Sequence, residues 1–162
     1  MTTSTTPSST RTVTLPSAPV LIGGVYAICV LGLLAVFVGE ILFTDHDPYA
    51  SEGPVASIVS VGVVGTAALV IAVGAGLALH RTPEHARIGA IVFGALSLLT
   101  LPFFWSAAPG IFGACAAWLG GLTRGSQPQA GAARVAAVVG AFVALLNVVV
   151  TIGGVLLSGI ME

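Results

Sequence analysis

Few side chains in this sequence are equipped for chemistry, and nearly all of them stand alone. Glu40 is the only acidic residue within an apolar run. An intramembrane carboxylate is by default a candidate for carrying a proton or holding a cation, because its desolvation is costly. Glu40 lies about one turn from the end of its run, where the side chain can reach the interface, so a solvated role is expected. Asn147 sits in the middle of another run. A buried amide needs partners, so Asn147 is expected to hydrogen-bond across helices, with a transport-site role as the alternative. The stretch DHDPY, with Asp45, His46, Asp47 and Tyr49, has the residue types of a metal site. Adjacent residues in a turn rarely point at one ion, and no second ligand cluster completes a tetrahedral set. No metal and no cofactor are therefore expected. His80 and His85 flank a turn beside Arg81 and Arg87. They read as solvated loop residues, with pH sensing or contact with anionic headgroups as the alternative. Cys29 and Cys115 both lie in apolar runs, where cysteine acts as a small hydrophobe.

Paired catalytic groups are missing. The sequence contains no GxSxG, HExxH, GxxxxGK[ST] or CxxC motif, each of which would supply a nucleophile, a metal, a phosphate cradle or a dithiol. No loop between apolar runs is long enough to hold a soluble catalytic domain. Paired intramembrane charges, which an ion-coupled carrier usually needs, are also absent, and no inverted repeat is evident. An enzyme is not expected.

The elements that must position these residues are membrane helices. Hydrophobic residues make up 56% of 162 positions and charged residues only 7%, with a mean hydropathy of +1.08, against roughly 25% charged residues in a soluble domain. Such a chain cannot cover a water-facing surface with polar groups, so the lipid bilayer is its expected partner. Net charge is −1 and lysine is absent, which removes the electrostatic case for nucleic acid. Residues 1–18 form a Ser/Thr/Pro-rich tail expected to be disordered and cytoplasmic; residues 19–162 form the integral membrane domain. The apolar run from Pro19 to Phe43 is too long for the core of a signal peptide and reads as an uncleaved helix.

The first helix is expected over Val20–Phe43 and the second over Val55–Leu79. Thr82 suits an N-cap, with Pro83 at the first helical position and Glu84 behind it, so a third helix starts near Pro83. Residues 88–122 then carry no charge for 35 positions. One helix of that length would span about 52 Å, against a hydrocarbon core of about 30 Å. Pro102 and Pro109 interrupt it, and Phe103, Phe104 and Trp105 favour an interface. A tight hairpin turning near Ser106–Gly110 is expected, either crossing fully or re-entrant, and a last helix over Ala133–Ser158. The fold class is thus an all-α membrane protein of about five transmembrane helices, the third and fourth forming a short Pro-broken hairpin. This arrangement gathers Arg11, Arg81, Arg87, Arg124 and Arg134 on one side and Asp45, Asp47, Glu52 and Glu162 on the other. The positive-inside rule then sets the N-terminus in the cytoplasm and the C-terminus outside the cell membrane.

Small residues recur at four-residue spacing. Ala132, Ala136, Gly140 and Ala144 form one ladder; Gly113, Ala117 and Gly121 form another; Ala72 and Gly76 form a third. In lipid such stripes let backbones approach closely, so they mark helix-packing faces, within the chain or between copies.

The segments ARIGAIVFGALSLL (86–99), PGIFGACAAWLGGLTRG (109–125) and GAARVAAVVGAFVALLN (131–147) resemble a widespread bacterial family of small Gly/Ala-rich membrane domains of unknown function. The shared features fall on Gly89 and Gly94, on Gly110, Gly113 and Arg124, and on Gly131 and Gly140. The family's second helix often carries a histidine near its basic end, where this chain has AAWLGGLTR, so no role for that histidine transfers. The resemblance implies topology and no activity. The expected function is a non-enzymatic multi-pass membrane protein acting through helix packing. It would be an accessory or scaffold component of a membrane complex, or a self-associating protein. The alternative is a small transporter or channel subunit whose oligomers line a path with Asn147 and Glu40.

Overall fold

A computed structural model describes residues 15–43 and 54–158. Among them lie five α-helices: α1 (Ala18–Phe43), α2 (Pro54–Leu79), α3 (Pro83–Leu99), α4 (Ala108–Leu119) and α5 (Ala132–Ser158). A 3-10 segment, Leu101–Ser106, joins α3 to α4. The two loop aspartates, His46 and Tyr49 of the DHDPY stretch, and all of residues 1–14, lie outside the described residues.

Local chemistry explains the boundaries. Thr82 is the N-cap of α3: its backbone is extended and its hydroxyl accepts from the His85 N–H at 3.4 Å, with Pro83 following it. Thr100 closes α3 by donating its hydroxyl to the Leu96 carbonyl at 2.7 Å. The chain then winds through the 3-10 segment to Ala107, the one non-glycine residue with positive φ (61°) among the described residues. Ser106 steadies this turn, donating to the Phe103 carbonyl at 2.7 Å and accepting from the Ala108 N–H at 3.4 Å. The reversal therefore occupies Thr100–Ala107, earlier than the expected Ser106–Gly110. Pro109 and Gly110 belong to the first turn of α4, where a proline loses no helical hydrogen bond and its fixed φ suits helix.

Among the described residues three helices are long and apolar enough to cross a membrane: α1, α2 and α5. With 26, 26 and 27 residues they run about 40 Å at 1.5 Å per residue. The expectation of about five spanning helices is not confirmed by length. The 17 residues of α3 and 12 residues of α4 give only about 26 Å and 18 Å. The proline-broken sequence explains this, because the 3-10 turn consumes residues that an uninterrupted pair of helices would have used.

Apolar side chains fill the core and cover the outer surface alike. Every residue of α4 except Trp118 is buried, and α4 touches all four other helices. The outward faces carry exposed apolar side chains such as Leu31, Val63, Val70, Phe142 and Leu156. Most of the core is alanine and cysteine, so backbones pack closely around α4. At one end, Leu15 donates to the Leu122 carbonyl and accepts from the Arg124 N–H, both at 3.1 Å. At the same end the His80 ring lies 5.1 Å from that of Trp118. The start of α1, the α2–α3 turn and the α4–α5 loop thus share one end of the bundle.

Candidate functional site

Asn147, Cys29 and Thr151 converge at the hairpin tip. Asn147, on the inner face of α5, donates through Nδ2 to the Phe104 carbonyl at 2.9 Å. Its Oδ1 accepts from the Cys29 thiol of α1 at 3.1 Å. Thr151, one turn on, donates its hydroxyl to the Asn147 carbonyl at 2.8 Å and lies 3.8 Å from the Cys29 sulfur. Gly110 makes the room: a Cβ there would sit 2.7 Å from Asn147 Oδ1 and 2.8 Å from a methyl of Val25. One amide therefore ties three pieces of the chain together: α1, the hairpin tip and α5. Beside it a cleft of about 190 Å³ opens between α1 and α5, lined by Gly32, Leu33, Phe104, Trp105, Thr151 and Val155 among others.

Elsewhere the bundle uses the same device more sparingly. The Tyr26 and Thr66 hydroxyls are 3.0 Å apart across α1 and α2. The Cys115 thiol donates to the Ala72 carbonyl of α2 at 3.3 Å. Both cysteines are buried and unbridged. Among the described residues no buried side-chain nitrogen or oxygen lacks a partner, and no group of three His, Cys, Asp or Glu gathers at metal-binding distance.

The small-residue ladders lie mostly on contacts inside the chain. A Cβ on Gly113 would run into the carbonyl oxygen of Gly140, and one on Gly140 would sit 2.7 Å from the carbonyl oxygen of Gly113. The two glycines thus mark a backbone-to-backbone crossing of α4 and α5. Ala144 and Ala117 are buried beside it. Ala136 packs on Gly94 of α3, where a Cβ would sit 3.0 Å from its methyl. Ala132 departs from the expectation: it is exposed, and Ala133 and Ala137 are the buried residues of that stretch. The helix rotates 3.6 residues per turn, so a strict four-residue ladder drifts off the face it started on. Gly121 departs too. It lies beyond the end of α4 with φ of +84°, and a Cβ there would collide with the Gln127 carbonyl. Its role is to turn the chain. Ala72 and Gly76 are buried on α2, where a Cβ on Gly76 would sit 3.1 Å from the Cys115 sulfur.

Protein-family models, curated proteins and solved structures give no match to this chain.

Sequence reasoning singled out Asn147 but not its partners. Cys29 read as a packing residue, the Phe104 carbonyl is invisible to any side-chain pattern, and Thr151 was available as a polar residue four positions after Asn147. Glu40 falls in the last turn of α1, and its side chain lies outside the described residues. Glu40→Gln is expected to leave protein level and growth equal to the parent strain, since either side chain can be hydrated near a helix end. A growth phenotype matching gene deletion, in protein that accumulates normally, would move the reading toward transport.

Proposed function

We propose that this chain is a non-enzymatic membrane protein that acts through helix packing, as an accessory or scaffold component of a membrane complex. The observation that supports this reading is the state of Asn147. Both ends of its amide are occupied by the protein's own thiol and backbone carbonyl, so it acts as a lock between helices rather than a waiting ligand. The glycines of α4 and α5 are likewise used against one another. The surface left for a partner is the apolar outer face of α1, α2 and α5.

The proposed topology has three crossings, α1, α2 and α5, around a re-entrant hairpin of α3 and α4. The tip meets α5 at Asn147 and α2 at Gly65. From Ala132 to Asn147 is about 22 Å along α5, and from Asn147 to Ser158 a further 16 Å or so. The hairpin tip thus stops well short of the far ends of the long helices and inside a hydrocarbon core of about 30 Å. This topology keeps all five arginines on one side, with the N-terminus cytoplasmic and the C-terminus outside. In intact cells, Ser51→Cys is expected to react with an impermeant thiol reagent, whereas Ser126→Cys and Phe103→Cys are shielded. Labelling of Phe103→Cys would show a hairpin that crosses fully, and labelling of Ser126→Cys would discard the arrangement. Purification in mild detergent tests the function: a stable heterologous membrane partner is expected, and a homo-oligomer that supports solute flux in liposomes would favour the transporter reading instead.

A further inference from the structure

At the end of the bundle where Leu15 meets Thr123, α1 and α2 part over the ring of Trp118. The gap is a groove of about 380 Å³, lined by Ala18, Pro19, Ile22 and Gly23 of α1, Leu69, Val73 and Leu77 of α2, and Trp118. Every lining side chain is apolar except for the indole N–H of Trp118. From Leu69 to Leu77 it follows α2 for about 12 Å. Gly23 leaves its floor open: a Cβ there would meet nothing within 4 Å. Arg81 and Arg124 stand at this end of the bundle, with Glu84 in the first turn of α3. His80 stacks near Trp118, Arg81 follows it, and Arg124 is held by backbone hydrogen bonding to Leu15, three residues before Ala18. Both arginines are exposed. Apolar walls that end beside two arginines match one ligand chemistry, an acyl chain carrying a negatively charged headgroup.

We propose that this groove binds one acyl chain of an anionic phospholipid, with Arg81 and Arg124 holding the headgroup phosphate. The inference rests on the membrane reading above. An acyl chain in the groove fills the space that α1 and α2 leave over Trp118, and the phosphate gains charge-assisted contacts that a zwitterionic lipid offers more weakly because its own cation competes for them.

The test uses the two tryptophans as reporters. Trp105→Phe leaves Trp118 alone in the groove, and Trp118→Phe leaves Trp105 at the hairpin tip. Each variant is reconstituted into nanodiscs with increasing fractions of brominated phosphatidylglycerol or brominated phosphatidylcholine, and fluorescence quenching is measured. Quenching of Trp118 is expected to reach half its maximum at a fraction of phosphatidylglycerol roughly fivefold lower or more, given about 1 kcal/mol per arginine near an anionic surface. Gly23→Leu, which fills open space and leaves the fold undisturbed, should abolish that quenching. Arg81→Gln with Arg124→Gln should equalise the two lipids. Equal quenching of Trp118 by both lipids in the unmodified rim, or full quenching in Gly23→Leu, overturns the proposal. If Trp105 is quenched and Trp118 is not, the groove proposal fails while the membrane reading stands; if neither is quenched, both fail.

Discussion

Asn147→Leu is expected to lower the thermal unfolding midpoint in mild detergent more than any other single side-chain removal in the bundle. The substitution keeps the volume and deletes both hydrogen bonds of the amide. It leaves the Cys29 thiol facing an apolar group and the Phe104 carbonyl with only the Ala107 N–H, at 3.4 Å. A buried polar group left without a partner costs about 1–3 kcal/mol, whereas a typical interhelical hydrogen bond in a membrane contributes about 0.6 kcal/mol. The loss should fall within this range because the bond removed from the Phe104 carbonyl ties the hairpin tip to α5, while the turn keeps its own hydrogen bonds through Thr100, Ser106 and Ala107. Thr151→Val should be milder, because its hydroxyl bonds to the carbonyl four residues back in its own helix. Unchanged stability of Asn147→Leu, combined with loss of a cellular phenotype, would mean that the amide serves a solute and not the fold.

Gly140→Leu is expected to separate α4 from α5. Even a methyl at this position would stand 2.7 Å from the Gly113 carbonyl oxygen and 2.8 Å from the Ala116 methyl. Both obstacles are small and attached to a rigid helix, so neither can swing aside. Overpacking of a well-filled interior costs about 1–3 kcal/mol, and the penalty should grow in the order Gly140→Ala, Gly140→Val, Gly140→Leu. Gly153→Leu is the control. It lies on the same helix, where a Cβ meets nothing within 4 Å, and it should be silent. Because α4 is enclosed by the other helices, Gly140→Leu should also expose Cys115 to alkylation. If Gly140→Leu changes oligomer size without changing the stability of the single chain, the glycine crossing joins copies and does not hold one chain together.

Both effects were half legible in the amino-acid sequence. The long charge-free runs, Thr82 before Pro83 and the five arginines at the ends of runs are local or compositional signals. They were enough to place the helices to within two residues at most ends. Asn147 stood out because an amide is rare among so many aliphatic neighbours, and Gly140 because small residues recur around it. The positions that went astray depended on geometry between segments. Proline at 109 reads as a helix breaker from its type alone, yet it lies in the first turn of α4, because the chain had already reversed at Ala107. Gly121 belongs by spacing to a helical ladder, yet the helix ends before it, where residues 127 and 128 fold back over the backbone.

Composition and helix-length arithmetic determined that this chain is helical, with helices long and apolar enough to cross a membrane, since neither depends on which residues touch. The tertiary structure alone decided that α4 is enclosed rather than lipid-facing, that Asn147 finds a thiol and a backbone carbonyl, and that α1 and α2 part over Trp118. The reason is physical. In a bilayer the outer face and the core are both apolar, so hydropathy cannot separate them. What separates them is shape: where glycine and alanine let two backbones meet, and where a missing side chain leaves a gap.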